Sequence, residues 1–298
     1  MSPFEPYVPE DFDEFWLETL SEAEAVPLDY RRSSRNDFDL EGFVVEIIDF
    51  RGMQDRTVHG WLAYPEGGRR LPGFVWLPPY GRESLLPNEY GTRAGYASLS
   101  LNFHGYDAFH QEKYQPARGY FAEGIGDPRT WIFRRIFQDS VIATKVLMAQ
   151  IEVDEERIGA MGLSQGGGLA IWLGAWCGLV RAVCADLPFL SAMKFALSRN
   201  AHRYPLKEVV DYMQTEPLGP EKVWHTLSYF DTLNQATRCM KPTHLSLGLK
   251  DPAVRPESVE AVYRALPGIK ELSILEGGHD WHSEMVAANR AWFDRHLA

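Results

Sequence analysis

Arg157-Ile158-Gly159-Ala160-Met161-Gly162-Leu163-Ser164-Gln165-Gly166-Gly167-Gly168-Leu169 is the stretch from which the rest of the chain can be read. Its first five residues predict a short buried strand, and the small, apolar run over 167–179 predicts a helix packed on a sheet. Between them Gly162-Leu163-Ser164-Gln165-Gly166 spells G-x-S-x-G, which sets a serine on the turn from strand to helix. Such a turn is tight and strained, and side chains flanking the serine would collide with the neighbouring strand or helix, hence the glycines. The turn leaves Ser164 Oγ exposed and puts the backbone N–H of Gln165 at a helix N-terminus, where unpaired donors and the helix dipole favour a developing oxyanion.

A serine so placed predicts an α/β-hydrolase sheet, in which an acid and then a histidine follow on loops at the carboxyl ends of later strands. Pro242-Thr243-His244-Leu245-Ser246-Leu247-Gly248-Leu249 alternates polar and apolar residues, and Lys250-Asp251-Pro252 breaks the alternation with a turn. Helical spacing over 257–266 and a further strand over 271–276 lead to Gly277-Gly278-His279. Asp251 and His279 are therefore the expected acid and base. Asp186 and Asp231 remain rival acids, and His282, read as one helical turn past His279, a rival base. His279, Asp280 and His282 lack the H-E-x-x-H pattern of a zinc site, so neither metal nor cofactor is expected.

The 298 residues, 45% apolar, suffice for one large α/β domain over 1–298. A net charge of −11 argues against nucleic acid or an anionic membrane as partner, since both need clustered Lys and Arg. Cys177, Cys184 and Cys239 form no spaced framework and suit a reducing compartment. The N-terminal stretch Met1-Ser2-Pro3-Phe4-Glu5-Pro6 lacks the regions of a signal peptide, and the apolar run 169–180 is too short to span a bilayer. The chain reads as cytosolic.

Upstream, 9–20 predicts a helix with Phe12, Phe15, Trp16 and Leu20 on one face. Alternating strands over 43–50 and 57–64 predict an antiparallel hairpin, and 74–77 and 97–101 read as central strands. Apolar residues at helical spacing over 131–150 complete a βαβ unit with the strand before Ser164. Insertions over about 102–128, rich in aromatics, and 187–237 are expected to lie over the catalytic edge as partial lids.

The chain resembles carbohydrate esterase family seven, the acetyl xylan esterase and cephalosporin-C deacetylase group, along essentially its whole length. The likeness rests on Asp11-Phe12-Asp13-Glu14-Phe15-Trp16, Gly60-Trp61-Leu62, Glu123-Gly124-Ile125, Val153-Asp154-Glu155-Glu156-Arg157-Ile158-Gly159, the Ser164 motif through Leu169, Leu227-Ser228-Tyr229-Phe230-Asp231, Gly248-Leu249-Lys250-Asp251 and Gly278-His279. The resemblance implies Ser164, Asp251 and His279 as a triad, and the backbone N–H groups of Gln165 and Tyr80 as an oxyanion hole. It further implies a homo-oligomer, often a hexamer, an assembly that the apolar face of the 9–20 helix and the hairpin would also suit. Two departures stand out: His104-Gly105-Tyr106 replaces the family's Arg-Gly-Gln, and His279-Asp280 its His-Glu. A long cation is thereby lost, which bears on substrate preference rather than on hydrolysis.

The expected activity is that of a cytosolic serine esterase releasing short acyl groups, acetyl foremost, from an alcohol such as a sugar hydroxyl. Rival readings are a peptidase or amidase of the same fold and a silent binding protein that keeps the fold. Phe103, Tyr106, Phe109, Tyr114, Tyr120 and Phe121, with Leu187-Pro188-Phe189 opposite, are expected to shorten the acyl pocket, and Tyr106, Pro188 and Phe189 to contact substrate.

Overall fold

In the strand Leu71–Leu77 (β4) successive side chains point to opposite faces of the sheet. Val75 and Leu77 join one hydrophobic core, and Phe74 and Trp76 join another on the far side. Strand after strand repeats this two-sided burial, which an extended sheet needs when helices cover both faces. The computed structural model describes residues 2–35 and 38–297; Met1 and Ala298, the ends of the extent read from the sequence, lie outside the described residues.

Among the described residues one sheet has nine strands, in the order β1-β2-β3-β5-β4-β6-β7-β8-β9. The expected hairpin is β2 (Phe43–Arg51) and β3 (Thr57–Pro65), antiparallel, with Phe43 opposite Pro65 and Arg51 opposite Thr57. Beyond it, β5 (Ala97–Leu101), β4, β6 (Val153–Leu163), β7 (Ala182–Asp186), β8 (Thr243–Gly248) and β9 (Lys270–Leu275) run parallel. Their carboxyl ends therefore share one edge, where the loops after β4, β6, β8 and β9 meet. The edge strand β1 (Tyr30–Ser34) was not expected, because Tyr-Arg-Arg-Ser-Ser has no apolar alternation. It pairs with β2, and Arg32 ties it down through ion pairs to Glu46 and, at 3.0 Å, to Glu152.

Helices α1 (Phe12–Ala25), α2 (Ile132–Met148), α3 (Gln165–Trp176) and α8 (Pro256–Ala265) pack into the larger core. The C-terminal helix α9 (Ser283–His296) covers the other face, where Trp292 and Phe293 meet Phe74, Trp76 and Trp61. The insertion at 187–237 folds as α4 (Met193–Asn200), α5 (Leu206–Thr215), α6 (Gly219–Phe230) and α7 (Thr232–Ala236). No helix among the described residues is long and apolar enough to cross a membrane.

The aromatic face of α1, expected to suit assembly, is spent inside the fold. Phe12, Phe15 and Trp16 are buried within the chain itself, against Tyr229 and Phe230 of α6, Phe137 of α2 and Trp172 and Trp176 of α3. Trp16 Nε1 donates to the Tyr229 carbonyl at 3.1 Å, while Leu20 is half-buried. Each such side chain contributes about 2–3 kcal/mol by leaving water. The face thus closes the fold, and β2 and β3 lie inside the sheet between β1 and β5.

Candidate active site

Ser164 follows β6 directly and precedes the first turn of α3, in a left-handed backbone conformation (φ 58°, ψ −117°) that a serine adopts only under constraint. The surroundings supply that constraint: the Ser164 N–H donates to the Asp186 carbonyl at 2.9 Å, and its own carbonyl accepts from Phe189 N–H at 2.8 Å. Gly166 backs the turn onto β4, since a methyl group there would collide with the Leu77 carbonyl. The Ser164 hydroxyl does not cap α3, which leaves it for another partner.

That partner is His279, whose Nε2 lies 2.9 Å from Ser164 Oγ, while Nδ1 lies 2.7 Å from Asp251 Oδ2. Two loops bring these residues in. Lys250 N–H donates to the Gly277 carbonyl at 3.0 Å and Leu249 N–H to the Leu275 carbonyl at 2.8 Å, so the loops after β8 and β9 are bonded to each other. Gly248 permits the approach: a Cβ there would stand 2.7 Å from the Gly278 carbonyl. Asp251 is fully buried, and its second oxygen accepts from the N–H groups of Ala253 and Val254 at 2.7 and 2.9 Å. Asp251 accepts a hydrogen bond from Nδ1–H, which leaves the Nε2 lone pair to receive the serine proton.

The rivals have other work. Asp186, at the end of β7, points beneath the sheet, accepting from Ser246 Oγ at 2.7 Å and Asn289 Nδ2 at 2.6 Å. Asp231 accepts from the N–H groups of Ala192, Met193 and Leu233 and from the Tyr7 hydroxyl, anchoring α4 and α7; burial pushes its carboxyl up to about 6. His282 is not one helical turn beyond His279: residues 276–282 form a loop, and His282 is the N-cap position of α9, its ring against Gly277.

Tyr80 lies in the loop after β4, and Gln165 opens α3. No described hydrogen bond uses the backbone N–H of either. A cavity of about 440 Å³ opens in front of Ser164 and His279, bounded by Pro79 and Tyr80, by Phe189, and by Arg203, Tyr204 and Pro205 between α4 and α5. Tyr114, Asp280 and Trp281 complete the rim. Of the three expected substrate contacts, Phe189 lines this space and Tyr106 and Pro188 do not. Tyr106 is exposed, stacks on His110 at 4.4 Å and accepts from Arg118 Nη2 at 2.7 Å. Pro188 is buried, its carbonyl accepting from Ser191 Oγ at 2.7 Å. Of the six aromatics in the first insertion only Tyr114 reaches the cavity; Phe103, Tyr120 and Phe121 are core residues. His104 accepts the Tyr106 N–H through Nδ1 and faces Ser84 Oγ through Nε2. Burial, then the charges of His110 and Arg82, push it down to about 4, so it carries no charge near neutrality and does not replace the arginine of the family motif electrostatically.

The family model for acetyl xylan esterase (AXE1) matches residues 4–296. The chain belongs to the acetyl xylan esterase family. It is accordingly a carboxylic-ester hydrolase of the acetyl-ester type, on an α/β-hydrolase fold. Acetyl esterase Axe7A of Xylanibacter ruminicola is 24% identical over 306 residues, covering 98% of this chain and 69% of that protein. Among solved structures, the acetyl xylan esterase from Paenibacillus sp. R4 superposes with a TM-score of 0.89 at 27% identity, covering 98% of this chain and 96% of that one. Acetyl xylan esterase 1 from Thermoanaerobacterium sp. JW/SL YS485 follows at 0.84 and 25% identity, covering 97% and 94%.

Proposed function

We infer that this esterase works by a serine mechanism and removes acetyl groups from alcohols such as sugar hydroxyls. The observation that carries the reading is the unbroken line from Ser164 Oγ through the His279 ring to Asp251, at 2.9 and 2.7 Å, on a strained turn. Ser164 Oγ attacks the acetyl carbonyl while His279 Nε2 takes its proton; Asp251 holds the ring and stabilises the imidazolium. The carbonyl oxygen, now anionic, receives the N–H groups of Tyr80 and Gln165. As the C–O bond to the alcohol breaks, His279 returns the proton to the leaving oxygen, and water then repeats the sequence on the acyl-serine to release acetate.

Phe189 and Tyr204 line the cavity beside Ser164, and on this reading their rings close its acyl side. A methylene the pocket accepts adds only about 0.8 kcal/mol, whereas one it cannot accept meets an aromatic wall, so rates fall off abruptly with chain length. Measuring kcat/KM over p-nitrophenyl acetate, butyrate and octanoate, beside a panel of acetylated sugars, tests this. Acetate is expected fastest and octanoate nearly inert; a maximum at octanoate contradicts the deacetylase reading. Family resemblance also supports a homo-oligomer, now without the α1 argument.

A further inference from the structure

The loop that carries the Tyr80 N–H is held by side chains that the mechanism above does not use. The Tyr80 hydroxyl donates to Glu208 Oε1 at 2.7 Å and accepts from the backbone N–H groups of Tyr120 and Phe121 at 2.7 and 3.1 Å. The other Glu208 oxygen accepts from Phe121 N–H at 2.8 Å. One residue beyond Tyr80, the Gly81 N–H donates to the Tyr120 hydroxyl at 3.3 Å, and that same hydroxyl donates to Gln165 Oε1 at 3.1 Å. The Tyr120 phenol therefore touches both halves of the oxyanion hole: the loop bearing the Tyr80 N–H and the side chain of the residue that supplies the second N–H.

The two halves differ in how firmly they are held. Gln165 is fixed by β6 and α3, whereas 78–81 belongs to no helix or strand. An oxyanion hole stabilises the transition state only when its donors are already in place, and a displacement of one ångström costs about 10²-fold in rate. Glu208 uses both carboxyl oxygens here, one for the Tyr80 hydroxyl and one for Phe121 N–H, which fixes the phenol and so the loop. Burial raises the Glu208 carboxyl above its ordinary range, opposed by the Tyr80 hydroxyl and the N–H groups of Phe121 and Ala122.

We propose that Tyr120 and Glu208 are positioning residues for the oxyanion hole, setting the separation of the Tyr80 and Gln165 N–H groups. Glu208 acts from α5, so the inserted helices govern transition-state stabilisation as well as the shape of the pocket. The proposal rests on the serine mechanism inferred above.

The test uses Tyr120→Phe, Glu208→Ala and Glu208→Gln in the full chain, with kcat and KM for p-nitrophenyl acetate and the affinity of a small alkylboronic acid. The boronate adds to Ser164 as a tetrahedral adduct and places an oxygen where the oxyanion forms, so its affinity reads the hole directly. Tyr120→Phe and Glu208→Ala are expected to lower kcat by roughly 10- to 100-fold with KM within about twofold, and to weaken the boronate by a similar factor. Glu208→Gln, which keeps one acceptor oxygen, should recover part of the loss. Tyr212→Phe, on the same helix but with its hydroxyl against Gly126, should behave as wild type. If Glu208→Ala does not fold, the isosteric Tyr120→Phe decides alone. Wild-type kcat in a folded Tyr120→Phe, a KM effect without a kcat effect, or a fall in kcat with boronate affinity intact overturns the proposal. Ser164→Ala in the same assay separates the two levels: if it still hydrolyses, the serine mechanism fails and the clamp with it, whereas an inert Ser164→Ala beside a fully active Tyr120→Phe removes the clamp alone.

Discussion

Asp251 and Asp186 are both buried carboxylates at the ends of neighbouring strands, yet only Asp251 is hydrogen-bonded to an imidazole. Asparagine in place of Asp251 keeps the shape but presents no carboxylate to the Nδ1 proton, and the ring loses the tautomer that accepts from serine. Asp251→Asn should therefore lower kcat by on the order of 10³- to 10⁴-fold with the fold retained. Asp186→Asn and Asp231→Asn should instead lower Tm and leave kcat within a few-fold, because their partners are structural donors. Rate and melting measurements on the three variants decide the assignment; inactivity of Asp186→Asn alongside a working Asp251→Asn reverses it. At this scale the candidate triad was legible because its requirements are local: glycines around Ser164, a turn after an alternating strand for Asp251, a double glycine before His279. Tyr120 and Glu208 were not, since 87 residues separate Phe121 from the carboxylate it binds and neither side chain departs from an ordinary loop or amphipathic-helix pattern.

The hairpin turn between β2 and β3 is joined to α2 by one carboxylate: Asp139 Oδ1 accepts from Met53 N–H at 2.9 Å. Burial pushes Asp139 up to about 7, against the pull of the Met53 N–H and the Arg56 charge. Unfolded, an aspartate ionises near 4, so the folded chain retains a proton that the unfolded chain has released. The stability this gives is complete below about pH 4 and is lost as pH rises through about 7. Asp139→Asn keeps the acceptor and removes the titration. Its Tm should match wild type near pH 4 and exceed it at pH 8, on the order of 2–4 °C for each kcal/mol; parallel melting curves from pH 4 to 8 would falsify the linkage. Elements with strong periodicity, such as α2, β6 and β8, were readable in advance. Strand β1 was not, because an edge strand held by Arg32 ion pairs needs no apolar alternation.

At the scale of the whole molecule, what escaped the sequence was partnership between distant segments. The aromatic face of α1 was visible, but not that α6, more than two hundred residues later, covers it. Aromatics crowding 103–121 suggest pocket wall, yet a bulky ring in a loop serves a core equally well, and three of the six do. Of those rings Tyr114 alone lines the cavity, beside Tyr80, Phe189, Arg203-Tyr204-Pro205 and Trp281. The homo-oligomer proposed from the family resemblance would have to use surface other than this aromatic face. Light scattering at micromolar concentration is expected to give an oligomer's mass, and Trp16→Ala to lower Tm without dissociating it. A monomer at that concentration contradicts the expectation.

In the proposed mechanism Ser164 carries the acetyl group between alcohol and water. Mixing enzyme with p-nitrophenyl acetate, quenching in acid within milliseconds and mapping the digest by mass spectrometry tests it most directly. One added acetyl group is expected on the peptide containing Ser164, formed at the rate of the p-nitrophenol burst and absent from Ser164→Ala. An acetyl group elsewhere, or undiminished hydrolysis by Ser164→Ala, contradicts it.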